Sequence, residues 1–393
     1  MQANPPEVAD SGAADRLDIT SHSTAVTAVD HMLQLALRLG ASDVHCEPGP
    51  EGLRVRFRID GRLTAVGTLP PTLRDGVITR LKVLARLDVA ERRLPQDGRF
   101  TVRPDGSGDA ACDVRASTLP TLLGEKAVLR VVARTSLVPD FEALGFDAVS
   151  ASAFRQHLQR PWGLVLVTGP TGSGKTSTLY AALHLLATPD RHIITVEDPV
   201  ERSLAGVTQV AVRDSIGLGF ASVLRASLRQ DPDIMLVGEI RDAETAAVAM
   251  QAALTGHLVL ATLHTTDAPG APARLLDMGV PPFLVAGSLS VVCAQRLVRR
   301  RCLQCPPGRD VRCGACRSTG YRGRTGLFEV MTMSDALRAL VMQRASAQEL
   351  RSQALAEGMV SLRQAGVRRV TDGVTSMEEV WRETADDGVV PHA

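Results

Sequence analysis

Two stretches of this sequence hold residue types that do chemistry at short range. "GPTGSGKT" comprises Gly169, Pro170, Thr171, Gly172, Ser173, Gly174, Lys175 and Thr176, with Ser177 next, and fits G-x-x-x-x-G-K-[ST] in full. Its glycines let backbone N–H groups turn inward around phosphate oxygens, and the following helix adds its positive end. Lys175 then reaches the β- and γ-phosphates and Thr176 holds Mg²⁺, so ATP with Mg²⁺ is the expected ligand. The second stretch is "CLQCPPGRDVRCGAC", in which Cys302, Cys305, Cys313 and Cys316 form C-x₂-C-x₇-C-x₂-C. Two disulfides, a bound metal and a redox centre are open readings, and four thiolates at these spacings can close a tetrahedral Zn²⁺ site.

Phosphate binding alone is not hydrolysis, which needs a group that activates water. "IMLVGE" ends in Glu239, where a Walker B acid belongs, although Gly238 stands in place of the usual aspartate. "TVEDPVE" puts Glu197 and Asp198 at another strand end, and "TLHT" does the same for His264. A carboxylate at the carboxyl edge of such a strand faces the phosphates and can orient Mg²⁺ or accept a proton from water. The elements that must present these residues are legible. Apolar runs "GLVLVTG", "IITVED", "IMLVGE" and "HLVLATLHT" alternate with helical stretches, the pattern of a mostly parallel α/β sheet. After residue 330 the pattern is helical, and Ser346 with Glu349 and Ser376 with Glu379 each match a capping box.

The N-terminal third reads differently. Val26, Val29, Leu33 and Leu37 share a helical face that ends near Gly40. "LRVRFRIDGRL" alternates, with Leu53, Val55, Phe57 and Ile59 on one face and Arg54, Arg56 and Arg58 on the other, turned by Asp60-Gly61. Leu73, Val77, Leu81 and Leu84 mark a second helix; a hairpin around Asp105–Gly108 and the strand "AVLRVVAR" follow. These elements predict a small α+β domain.

Composition narrows the class. A net charge of +1 and 3% aromatic residues argue against a nucleic-acid binder, although "RLVRRRC", Arg296 to Cys302, is locally basic. Only Lys82, Lys126 and Lys175 are lysines. No apolar run spans a bilayer and the N-terminus lacks a signal-peptide pattern, so the expected location is cytoplasmic. In a reducing compartment, paired cysteines favour a metal. Cys46, Cys112 and Cys293 read as buried small residues.

The motifs "ASDVHCEP", "VRFRIDG", "LPQDGR", "RASTLPTLLGEKAVLR", "GPTGSGKTSTLY", "VEDPVE", "LRASLRQDPDIMLVGEIRD", "AALTGHLVLATLHT" and "TGYRGRTGLFE" run in order over residues 24 to 384. In them the chain resembles the secretion and type IV pilus assembly ATPases, most of all those of type II secretion. The resemblance implies a RecA-like P-loop core with a smaller N-terminal α+β domain, a tetracysteine zinc module and a helical C-terminal region. It implies Glu239 as the water-activating acid, Glu197 near the metal, and His257 and His264 near the γ-phosphate or in its sensor network. Arg115 and Arg130 would be arginine fingers, and Arg225, Arg229 and Arg241 would surround the Walker B segment. It further implies a homohexamer that works with an inner-membrane platform protein and a membrane docking protein, attached peripherally to that membrane. Pseudopilin assembly for export is the leading reading; type IV pilus extension and competence pseudopilus assembly are alternatives, and a zinc-containing RecA-like DNA-binding ATPase is a distant one.

The expected boundaries are a disordered 1–22, an N-terminal domain over 23–135, a linker over 136–146 and an ATPase core over 147–300. A zinc module over 301–325, a helical region over 326–384 and a flexible tail over 385–393 follow. With so little before the shared core, the chain reads as a short form lacking the family's extra N-terminal docking domain.

Overall fold

The structure is a computed structural model that describes Leu17 and residues 24–104, 111–132, 138–305 and 313–384. Apart from Leu17, the expected disordered N-terminus lies outside the described residues, as do the Asp105–Gly108 turn, part of the expected linker and the flexible tail. Contacts divide the chain into two compact units, one of Met1–Ser136 with Cys302–Gly323 and one of Leu137–Arg301 with Arg324–Ala393. The tetracysteine segment thus groups with the N-terminal unit, whereas the sequence reading made it a separate module after the core. Gly323 N–H donates to Asp60 Oδ2 at 2.9 Å within that unit.

The N-terminal unit holds α1 (Ala25–Arg38), β1 (Asp43–Gly49), β2 (Gly52–Ile59), β3 (Arg62–Leu69), α2 (Pro71–Ala85), β4 (Gln96–Val102), β5 (Cys112–Thr121) and β6 (Gly124–Val132). Its strands form one sheet in the order β3-β2-β1-β6-β5-β4, and every neighbouring pair is antiparallel. One face packs on the helices: Val44, Leu53, Val55, Phe57, Val114 and Leu129 are buried with Val29, Met32, Val77 and Leu81. Val26 is an exception to the expected face, being exposed at the first turn of α1.

The other face is ionic. Arg54 and Arg56 pair with Glu47 at 3.2 and 2.7 Å, and Arg58 lies 3.6 Å from Asp43, so the alternating arginines answer acids on the adjacent strand. Lys126 reaches Glu47 at 3.2 Å on this face, whereas Lys82 of α2, 1% exposed, is paired with Glu125 on the helix side.

The second unit holds α3 (Phe141–Leu144), α4 (Ala148–Leu158), β7 (Gly163–Thr168), α5 (Lys175–Leu186), β8 (Ile193–Glu197), β9 (Thr208–Ala211), α6 (Phe220–Ser227), β10 (Ile234–Val237), α7 (Ala243–Leu254) and β11 (Leu258–Leu263). It continues through α8 (Gly270–Asp277), α9 (Pro282–Ser288), β12 (Leu289–Arg301), β13 (Tyr321–Thr332), α10 (Asp335–Met342), α11 (Ala347–Ala356), α12 (Leu362–Thr371) and α13 (Met377–Glu383). The sheet order is β13-β12-β7-β11-β10-β8-β9, parallel at every pair from β12 to β9. Every residue of β7, β8, β10 and β11 is buried, which requires cover on both faces and explains why these runs are apolar without alternation. Among the described residues, no helix is long and apolar enough to cross a membrane.

Candidate active site

Parallel register brings the strand ends to one edge. Thr168 at the end of β7 is opposite Leu263 of β11 and Ala294 of β12, and Val237 at the end of β10 is opposite Val196 of β8. The segments leaving this edge are therefore Gly169–Thr176, His264, Glu239, Asp198 and, from β12, Gln295 with Arg296. Ligands of open α/β sheets bind outside the carboxyl ends of the strands.

The loop from Gly169 to Gly174 is shaped for a close backbone approach. Gly169 has φ +147°, and a Cβ there would meet Gln295 O at 2.5 Å; Gly174 has φ +91°, and its Cβ would meet Gln295 Nε2 at 2.8 Å. Thr178 Oγ1 donates to Gln295 Oε1 at 2.8 Å, so Gln295 ties β12 to the first turns of α5. The Ser173 hydroxyl is buried and has no partner among the described residues, a donor free for a phosphate oxygen. Lys175 Nζ donates to Gly169 O at 2.8 Å and Pro170 O at 3.1 Å, folding over the loop. Burial pulls its ammonium down to about 8, with Glu239 opposing and Arg296 adding to the shift. These residues fit a nucleotide phosphate chain.

Beyond the loop, four side chains form one ionic cluster. Glu239 Oε1 accepts from Arg241 Nη2, and its Oε2 lies 3.4 Å from His264 Nε2. Arg241 also lies 3.3 Å from Asp198 Oδ2, and its guanidinium stands 6.0 Å from the Phe220 ring centroid. Burial raises the Glu239 pKa, but the Arg241 hydrogen bond and charge, with His264, outweigh it and hold the carboxyl below its ordinary value. Gly238 is explained by packing: a Cβ would press to 3.2 Å on Val196 O and 3.3 Å on Glu197 Cα, backbone of the adjacent strand. Thr262 Oγ1 holds Gly238 O at 2.6 Å.

Several expected site residues fall elsewhere. Glu197, assigned to the metal side, is 3% exposed, and its carboxylate accepts from Tyr180, from Thr195 at 2.5 Å and from Gln209 at 3.0 Å. Strand alternation turns Asp198, not Glu197, toward the cluster. His257 precedes β11, whose first residue Leu258 is opposite Gly163 at the start of β7, so it occupies the amino edge. Six strand residues at about 3.3 Å each put it roughly 20 Å from the phosphate loop, and its Nδ1 lies 3.0 Å from Ala252 O. Arg225 pairs with Glu244 at 2.7 Å and Arg229 donates to Arg225 O at 3.0 Å, so only Arg241 of the three joins Glu239.

Sequence reasoning placed Arg296 only in a basic run. It instead donates to Thr266 O at 2.8 Å, beside the loop that carries His264, while Arg299 of the same run pairs with buried Glu379 at 2.7 Å. The signal for Arg296 and Gln295 was the adjacency of β12 to β7, which the sequence pattern does not reveal.

In the N-terminal unit, strand register aligns Arg99, Arg115, Arg130, Asp43 and Arg58 in one row across β4, β5, β6, β1 and β2. Asp43 lies 3.3 Å from Arg130 and 3.6 Å from Arg58, while Arg115 has no side-chain partner among the described residues. Asp43 is the one carboxylate in that row of four arginines, and it pairs with Arg130 and Arg58.

The cysteines converge. Cys302 Sγ is 3.9 Å from Cys313 Sγ, Cys305 Sγ is 3.3 Å from Cys316 Sγ, and all four lie within 4.8 Å of one another. Tetrahedral Zn–S bonds of about 2.3 Å set sulfur–sulfur edges of roughly 3.8 Å, so the set fits that ion. None of the seven cysteines is joined in a disulfide, and four sulfurs gathered at one point favour the metal reading over two separate bridges. Cys46, Cys112 and Cys293 are buried, as expected. Pro306, Pro307 and Gly308 lie outside the described residues.

Comparison with known proteins shows what the chain is similar to. The family described as "Type II/IV secretion system protein" matches residues 18–382. The type IV pilus assembly ATPase PilB of Myxococcus xanthus is 49% identical over 387 residues, covering 92% of this chain and 68% of that protein. The type II secretion system ATPase E of Vibrio cholerae is 43% identical over 394 residues, covering 95% and 78%. Among solved structures, the pilus retraction motor PilT with bound ADP aligns with a TM-score of 0.65 at 28% identity, covering 91% of this chain and 97% of that one. The Legionella pneumophila ATPase DotB shares the fold, with a TM-score of 0.71 at 22% identity over 92% and 96% of the two chains. With a phosphate loop and an acid at one sheet edge, and relatives of this similarity over nearly its whole length, the chain belongs to the type II/IV secretion system protein family and is an ATPase.

Proposed function

We propose that this ATPase works as a hexameric motor that powers pseudopilin assembly for type II secretion. The observation that carries the reading is the cluster of Glu239, Arg241, His264 and Asp198 beside the phosphate loop. In it, Lys175 and the loop amides hold the β- and γ-phosphates, and Thr176 holds Mg²⁺, which neutralises charge on those oxygens when bound. Glu239 orients the attacking water and takes its proton, His264 fixes the second carboxylate oxygen, and Arg241 sets its rotamer. Asp198 anchors Arg241 from the next strand. Glu197 has a supporting role, stapling β8 to α5 through Tyr180.

Developing negative charge on the γ-phosphate needs cations beyond Lys175, and guanidinium forks suit phosphate oxygens. Arg115 and Arg130, in a row short of carboxylates, supply them from a neighbouring subunit. Cys302, Cys305, Cys313 and Cys316 hold Zn²⁺ with no open position, so the ion is architectural. The platform protein at the inner membrane is the partner that receives the motion, with a membrane docking protein as recruiter.

A second reading, type IV pilus extension, is favoured by the similarity to the Myxococcus xanthus protein. Mixing subunits tests the shared mechanism. Arg115→Ala and Lys175→Ala subunits are each inactive alone, and rings containing both recover part of the ATPase activity because intact sites form across boundaries. No recovery in rings shown to be mixed contradicts fingers in trans.

A further inference from the structure

The loop from His264 to Ala268 is tethered at nearly every residue, and three of its five tethers come from later in the chain, from Arg296 on β12, Glu329 on β13 and Arg351 on α11. Thr265 N–H donates to Thr168 Oγ1 at 2.9 Å, and Arg296 Nη2 donates to Thr266 O at 2.8 Å. Asp267 splits its carboxylate: Oδ1 accepts from Gly270 N–H at 2.7 Å at the start of α8, and Oδ2 pairs with Arg351 on α11. The Asp267 and Arg351 side chains are 18% and 22% exposed, so the pair is largely out of water. Ala268 N–H donates to Glu329 Oε1 at 2.7 Å, and the other oxygen of Glu329 accepts from Leu362 N–H at 3.1 Å, at the first residue of α12. Glu329 is 1% exposed on β13.

One buried carboxylate thus joins the His264 loop to the head of α12, and one ion pair joins it to α11. Neither Arg351 nor Glu329 contacts Glu239 or the phosphate loop. A half-buried ion pair that fixes a loop on rigid elements sets the position of whatever that loop carries. We propose that Arg351, through Asp267, and Glu329, through Ala268, are positioning residues that hold His264 against Glu239, so that the C-terminal helices set the rate of ATP hydrolysis. This rests on the role given above to His264 with Glu239.

A double-mutant cycle in the full-length protein, assembled as it is for ATPase assays, tests it. Arg351→Gln lowers kcat on the order of five- to tenfold with KM for ATP unchanged, because transition-state geometry is lost and ground-state binding is not. Asp267→Asn, which keeps the amide oxygen for Gly270, does the same. His264→Ala alone lowers kcat further, and adding Arg351→Gln to it changes kcat by less than about twofold, since a residue acting through His264 has nothing left to position. Thermal unfolding of each variant separates a folding defect from this effect. Multiplying effects in the double variant, or an unchanged kcat in Arg351→Gln, overturns the inference while leaving the site reading intact. A His264→Ala protein with full kcat overturns the role of His264 and this inference with it.

Discussion

Glu239 has a different neighbour on each carboxylate oxygen, and the pair defines its chemistry. Burial works against it, yet Arg241 holds the carboxyl below its ordinary value, which keeps it ionised and makes it a weaker base. Arg241→Gln therefore raises the Glu239 pKa, and the acid limb of the kcat profile against pH moves upward; an unmoved limb would show that Arg241 does not govern this group. Gly238 is a second residue-scale constraint. Gly238→Asp, which places the commoner residue of such strands there, pushes on the β8 backbone by a few tenths of an ångström and costs on the order of 1 kcal/mol, read as a lower midpoint in thermal unfolding, where an unchanged midpoint contradicts the packing account. At this scale the sequence revealed Lys175, Glu239 and His264 because each sits beside a recognisable run. It offered Glu197 and Asp198 side by side without choosing correctly between them, because which of two adjacent acids points outward depends on the phase of the strand. Arg296 stayed hidden because its place depends on strand order.

Elements carry the site by ending together. Parallel apolar runs and their alternation with helices were readable, and so were the antiparallel, alternating strands of the N-terminal unit, since burial on two faces or one leaves different periods. Helix starts were partly readable: Ser346 with Glu349 forms the expected capping box, and Ser361 with Gln364 forms one that was overlooked. His257 shows where motif reading fails, because both histidines of "TGHLVLATLHT" look equivalent until β11 is seen to run between them. On the zinc reading proposed above, the tetracysteine is the element whose stability depends on an ion. Cys305→Ser should release zinc, measured as metal per chain, and loosen Cys302–Gly323, measured as faster amide exchange there; equal zinc in both proteins ends the zinc assignment. Three remaining thiolates hold the ion more weakly and leave a position open to water.

Across the whole molecule, nucleotide chemistry occupies one unit and the cationic arginine row the other. An ATPase of this kind does work only if the state of the nucleotide changes how its units are arranged, and that in turn depends on turnover at one site. The central claim is that Glu239 activates water for an ATP held by the loop at Gly169–Thr176. The most direct measurement is nucleotide affinity and steady-state turnover of Glu239→Gln beside the unaltered protein, in rings of the same size. The account predicts ATP affinity within about threefold and turnover lower by at least about a hundredfold, the range expected when a general base is removed. Turnover near the unaltered value, or loss of ATP affinity together with turnover, would contradict it.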